Sequence, residues 1–303
     1  MKHFVSTPWL AAGLCSLVAV TAARSLAPHP NQPSLQFLLG KRVTSVVQLQ
    51  KTEAPAAAAM QGAVTMAGPT EQSIARVLAV NKGKTPDELL VEQAIKRVQL
   101  TIVSPLGRSV YDSENSFERD AVTSALGQRY DPYIDKPRTS SYRPGSPAAT
   151  PPAPDASFES IWTTNVPALS TSNLLQGIVL AGLPATLAQG SKWTDSVRTG
   201  ATITVNQYQV LKKEGDLLQV SLASRLAGQQ QGQASGATGA GVQVSATSTV
   251  SALEYNGELR VRQASGFIEE LHLTKHNAAV VRAGGQALSN DSYAKVDIVN
   301  TIK

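Results

Sequence analysis

Aliphatic residues recur along this chain mostly at every second position, and that spacing predicts antiparallel strands joined by tight turns. From residue 201 onward the pattern is a meander. Residues 202–211 and 217–226 alternate around a Glu214-Gly215-Asp216 turn. Segments 242–255 and 258–263 flank Asn256-Gly257, the strongest short-range cue for a hairpin; Ser265-Gly266 then leads into 267–276, and 293–302 closes the chain. In the first half, 36–50 reads as a hairpin turning at Gly40-Lys41, 74–80 as a short strand, and 96–104 as a strand that Pro105-Leu106-Gly107 turns into 108–112.

Helical spacing enters at three places. Thr85-Pro86-Asp87-Glu88 has the form of a capping box with proline at the first helical position, which leaves 86–95 open between helix and strand. Ser116 caps a predicted helix over 116–126, ended by Gly127. Residues 170–181 bring Leu174, Leu175, Ile178 and Val179 to one face before Gly182. Two stretches lack either period. Residues 131–155 hold seven prolines and few aliphatics, which predicts an extended linker, and the Gly/Gln/Ala tract 228–241 predicts a flexible connection. The fold class is therefore α+β, mainly antiparallel β, with a few packing helices. The organisation is a leader over 1–23, a β-rich half over 24–130, a Pro-rich linker or loop over 131–157, and a helix plus meander over 158–303.

Composition narrows the chemistry. The 303 residues are 42% hydrophobic but only 5% aromatic and 16% charged, a mix suited to sheets with one solvated face. The net charge is +5, or +4 once Lys2 leaves with the leader. Its clusters Lys41-Arg42, Lys96-Arg97 and Lys212-Lys213 carry no interleaved aromatics, so nucleic acid is not an expected partner. Met1-Lys2-His3, the apolar run from Trp9 to Ala23, and Pro28, Pro30 and Pro33 beyond it are the marks of an export signal. Cleavage would follow Val20-Thr21-Ala22 or Thr21-Ala22-Ala23. The expected location is periplasmic or extracellular; an uncleaved anchor reaching back to Phe4, or a lipidated Cys15, are the alternatives. Cys15 is the only cysteine, so the mature chain has no thiol for disulfides, zinc or nucleophilic chemistry.

No arrangement of reactive side chains stands out. His272 and His276 are four apart on a predicted strand, roughly 13 Å between Cα atoms, too far to share a metal. Ser292-Tyr293-Ala294-Lys295 matches a Ser-x-x-Lys motif, but on a strand its two ends face oppositely. Adjacent Glu269 and Glu270 also diverge, and Asp112 with Glu114 sits at a solvated hairpin end. Gly236, Gly239 and Gly241 lack the strand-to-helix context of a phosphate loop. Trp162 and Trp193 either line an apolar cleft or pack the core; they are the weak candidates for ligand contact. Catalytic residues, metal ligands and cofactors are not expected.

Leu183-Pro184, Gly190-x-x-Trp193, Asn256-Gly257-Glu258-Leu259 and Ser265-Gly266-Phe267-Ile268-Glu269-Glu270, with Arg97 to Ser104, Gly107 and Tyr111-Asp112-Ser113 before them, resemble a group of uncharacterised exported bacterial proteins. That pattern is similar to the LolA/LolB-like lipoprotein carriers. The resemblance implies a curved, half-barrel-like antiparallel sheet around a few helices, with an apolar concavity. The expected function is a non-enzymatic exported scaffold holding a lipid or other apolar ligand. The alternative is a structural or interaction module of the cell envelope, meeting a protein partner through the Pro-rich segment.

Overall fold

Twelve strands pair into a single antiparallel sheet in a computed structural model that describes residues 35–53, 70–85, 88–104, 107–115, 127, 130–142, 166–167, 169, 175–199, 202–227, 230–237, 243–283 and 286–303. They are β1 (Arg42–Glu53), β2 (Glu71–Lys82), β3 (Leu89–Ser104), β4 (Gly107–Asp112), β5 (Arg138–Tyr142), β6 (Lys192–Thr199), β7 (Thr202–Glu214), β8 (Leu217–Ala227), β9 (Gln230–Ala237), β10 (Gln243–Arg262), β11 (Ile268–Ala283) and β12 (Gln286–Ile302). The order across the sheet is β4-β3-β2-β1-β12-β11-β10-β8-β7-β6, with β5 also on β3 and β9 on β10. The first long strand pairs with the last, so both halves of the chain belong to one sheet.

Each strand turns alternate residues to the same face, and the registers align them in rows. One row reads Val210–Val220–Leu259–Leu271–Ile298–Val47–Ile74–Val98, crossing eight strands with every side chain buried. Burying each such aliphatic side chain contributes about 2 kcal/mol. The sheet coils strongly: Tyr111 and Tyr133 near one edge share a core cluster with Tyr208 and Val210 near the other. Into this inner face packs the segment before β6, through buried Val166, Leu169, Ile178, Leu180, Leu183 and Leu187. Backbone bonds fix it there: Leu180 N–H donates to Gly266 O at 2.8 Å, and Ile268 N–H to Ile178 O at 2.8 Å.

The α+β expectation with packing helices is corrected to all-β. The longest helical element among the described residues is the four-residue 3-10 turn Leu35–Leu38. Over 170–181 the described part, from Leu175, is a turn: Gly177 and Gly182 have φ of 75° and 71°, outside the helical region. Its aliphatics satisfied a helical period because they are buried on every side, which removes the solvated face that makes periodicity informative. The predicted helix at 116–126 and the leader lie outside the described residues.

Four further expectations change. Leu38 and Leu39 form no hairpin strand; the 3-10 turn drives Leu38 into a second apolar cluster with Val43, Leu78 and Val91. Residues 89–95 of the open stretch join β3, and a register shift opposite Ala75/Arg76 puts the buried set Leu89, Val91 and Ile95 out of phase with Val98, Leu100 and Ile102. That bulge is why the period looked broken. The capping-box Glu88 closes the β2–β3 hairpin instead of starting a helix, accepting from Lys84 N–H at 2.9 Å. Within the Gly/Gln tract, residues 230–237 are strand β9.

Asn256-Gly257 is the most instructive change. It makes no turn; it lies inside the 20-residue β10, with Gly257 paired to Leu222 on one side and Leu273 on the other. A Cβ on Gly257 would overlap the carbonyl of His272. Glycine is used here for close backbone approach between paired strands. Finally, the Pro-rich segment starts docked rather than free: Tyr133 is buried, Ile134 bridges to Ile95, and β5 pairs with β3.

Candidate functional site: a polar rim on the inner face

One inner-face row differs from its neighbours. Across β6, β7, β8, β10, β11, β12 and β1 it reads Asp195–Asn206–Ser224–Tyr255–Lys275–Ala294–Lys51, each residue the direct cross-strand partner of the next. The adjacent row is Trp193–Tyr208–Leu222–Gly257–Leu273–Val296–Leu49, apolar apart from the Tyr208 hydroxyl and the Trp193 indole N–H. A polar rim therefore borders apolar rows on the same face, hereafter the trough, since alternation within each strand puts residues i and i+2 together.

The rim is built in two halves. At the β6–β7 edge the Asp195 carboxylate accepts from Asn206 Nδ2 at 2.8 Å and from the Tyr208 hydroxyl at 3.3 Å. Burial first, and the Asp195 charge second, raise the Tyr208 hydroxyl well above its ordinary value, so it stays a proton donor. Trp193 stacks on Tyr208 with centroids 4.7 Å apart and 13° between planes. Its indole N–H is buried with no hydrogen-bond partner among the described residues. At the β11–β12 side Lys275 Nζ lies 5.9 Å from the centre of the buried Tyr255 ring. Burial, then the neighbouring Lys51, pushes Lys275 down to about 8.

Of the two tryptophans singled out by sequence, Trp193 is half-buried in the trough beside the rim, packed against the core, and Trp162 lies outside the described residues. The rim residues themselves were missed. Their signal is present: Lys275 continues the inward parity of Leu271 and Leu273, and Tyr255 that of Leu259. Reading Asn256-Gly257 as a turn broke that parity.

The remaining chemical candidates are held elsewhere. His272 bonds Asp297 at 2.7 Å and His276 bonds Asp291 at 2.7 Å, each a separate cross-strand pair. No group of three or more His, Cys, Asp or Glu among the described residues is placed to hold a metal. Glu269 pairs with Arg262 at 2.5 Å and Glu270 with Arg260 at 3.1 Å. Ser292 and Lys295 are both on β12, where Ser292 Oγ donates to Asn277 O at 3.4 Å and Lys295 pairs with Asp297 at 3.2 Å. Asp112 and Glu114 do converge, on Arg97 at 2.7 and 3.1 Å. The Arg97 hydrogen bond holds Asp112 below the usual carboxylate range, which makes it a hairpin clamp and a poor base.

No protein-family model matches the chain, and no curated protein matches it. Among solved structures the matches include three mutants of Rh. blastica porin, each 8% identical over 87% of this chain and 99% of theirs, with TM-scores of 0.18 to 0.19. Superposition at that level carries no argument about shape or function.

Proposed function

We propose that the chain is an exported, non-enzymatic scaffold that holds an amphiphile along the inner face of its sheet, polar end at the rim and hydrocarbon along the trough. The observation that carries this reading is the direct adjacency of a seven-strand polar row and continuous aliphatic rows on one coiled sheet. An amphiphile matches that order of polar and apolar rows, and would reach the aliphatic rows by displacing the segment before β6 that shares their core cluster. The resemblance of the sequence motifs to lipoprotein carriers supports the same reading by analogy alone. Native mass spectrometry of the full chain, with organic extraction of the same sample, tests it. Bound single-chain or diacyl lipid is expected; a chain that emerges without ligand and takes up none when offered dodecanoate contradicts it.

A second reading, an interaction module of the cell envelope, draws on one feature. Tyr133 and β5 root the Pro-rich segment firmly on the sheet, a fixed base from which residues after Tyr142 reach a partner protein. Deleting 143–154, which spares β5, and measuring partner capture separates the two readings. Lipid content is unchanged by that deletion if the first holds.

A further inference from the structure

The outer face of the sheet carries a groove of about 230 Å³ over β1, β2 and β3. Short side chains make its floor: Ala79 and Val77 of β2 and Ala94 of β3, the last two direct cross-strand partners. Ala79 lies between Arg42 of β1 and Glu92 of β3, paired directly with each. Two inter-strand spacings put the Arg42 and Glu92 Cα atoms roughly 10 Å apart. Both residues are exposed, and neither side chain has an ion pair or hydrogen bond among the described residues. Two departures from regular strand build one wall. The register shift in β3 leaves Lys96 without a partner on β2, a bulge that re-aims its side chain. Lys96 Nζ donates to the Asp135 carboxylate at 2.7 Å, and Asp135 N–H donates to Ile95 O at 2.9 Å. Asp135 is the one non-glycine among the described residues with a positive φ, 56°. Pro137 completes the wall.

We infer that this groove binds a small zwitterion, an amino acid or a dipeptide, with its carboxylate on Arg42, its ammonium on Glu92 and its apolar part over Ala79, Val77 and Ala94. The site lies on the face opposite the rim and is independent of the amphiphile reading. Charge complementarity carries the inference. A guanidinium takes a carboxylate through two N–H donors, and the Glu92 carboxylate takes an ammonium. Lys96 and Asp135 neutralise each other, which leaves one cation and one anion lining the groove on either side of an alanine. A ligand with only a carboxylate meets repulsion from Glu92, and one with only an ammonium meets it from Arg42. A ligand bearing both charges satisfies both residues. The dimensions agree: the groove is smaller than the roughly 300–1,000 Å³ of sites that hold drug-sized molecules. Its short floor is also particular to this place, since other outer-face rows are filled by long polar side chains, as in Glu258–His272–Asp297–Gln48.

The test is saturation-transfer NMR titration of the full chain with alanine, alanylalanine, N-acetylalanine and alaninamide. The last two lack the ammonium and the carboxylate charge respectively. At least one of the two zwitterions is expected to bind with a Kd of about 1 mM, and both blocked compounds about fivefold or more weakly. Comparing alanine with alanylalanine tells an amino-acid source from a peptide source. Arg42→Gln and Glu92→Gln, both at exposed positions, are each expected to weaken zwitterion binding about fivefold and to abolish the preference over one blocked compound. Ala79→Leu, which fills the floor between them, is expected to remove binding. Blocked compounds that bind as tightly as the zwitterions overturn the inference. So does an Arg42→Gln or Glu92→Gln protein of unchanged affinity, or the absence of zwitterion binding at about 10 mM.

Discussion

The inner face carries two polar rows, and they do opposite things. Toward one end, Asn300, Ser45 and Arg76 are direct neighbours on β12, β1 and β2, all buried, and they separate the two apolar clusters. This belt is turned onto the protein's own backbone: Asn300 Nδ2 donates to Gly177 O and Ile268 O, each at 2.8 Å, and Arg76 Nη2 to Gln176 O at 2.7 Å. Burial alone pushes Arg76 down to about 9. At the other end Asp195 bonds the side chains of Asn206 and Tyr208, and a half-buried Lys275 stands two strands from an exposed Lys51. Buried polar groups that engage backbone carbonyls fix where a segment crosses a sheet. The comparison assigns stability to the belt, and recognition at the rim is what we propose.

The largest way to break it acts on the frame both rows share. Gly257→Val places a branched side chain where even a Cβ meets the His272 carbonyl, and is expected to destabilise by about 4 kcal/mol or more in urea unfolding. Next comes the belt. Asn300→Ala removes both donors and leaves two buried carbonyls unsatisfied, with an expected loss of about 3 kcal/mol and unchanged dodecanoate affinity in whatever fraction stays folded. The rim should give the reverse. Lys275→Met removes a poorly solvated ammonium and is expected to raise stability by about 1–2 kcal/mol while dodecanoate binding falls. A Lys275→Met protein that is less stable than the parent would place Lys275 with the belt rather than the rim.

The smallest effect sharpens the same contrast through pH. The folded value of Lys275, about 8, lies below its ordinary value of 10.5, so between these two the unfolded chain binds more protons and stability rises with pH. Below pH 8 the full penalty applies, and above 10.5 it is gone. The stability gap between Lys275→Met and the parent should therefore be widest near neutrality and close between pH 8 and 10.5. Arg76 has the same sign but is present in both proteins, so it cancels in the difference.

The sequence made strands legible wherever one face is solvated. The β7–β8 hairpin followed from alternation and the Glu214-Gly215-Asp216 turn, and Gly215 does adopt φ of 61°. It misled where burial removes the wet face, as in residues 175–180, and where a bulge resets parity, as in β3. Residues 230–237 carry no alternation at all; their strand structure comes from pairing with β10, which a local reading does not contain. The candidate site was nearly invisible for a related reason. Tyr255 and Lys275 acquire meaning only when β10 continues through Gly257 and its register brings them side by side.

Photo-crosslinking reads the central claim most directly. A single-chain fatty acid bearing a diazirine near its middle, bound to the full chain and irradiated, should leave adducts that peptide mapping places on inner-face residues around Leu49, Leu273 and Val296. Adducts confined to outer-face residues such as Val299 and Tyr293, or no adduct at saturating ligand, would contradict it.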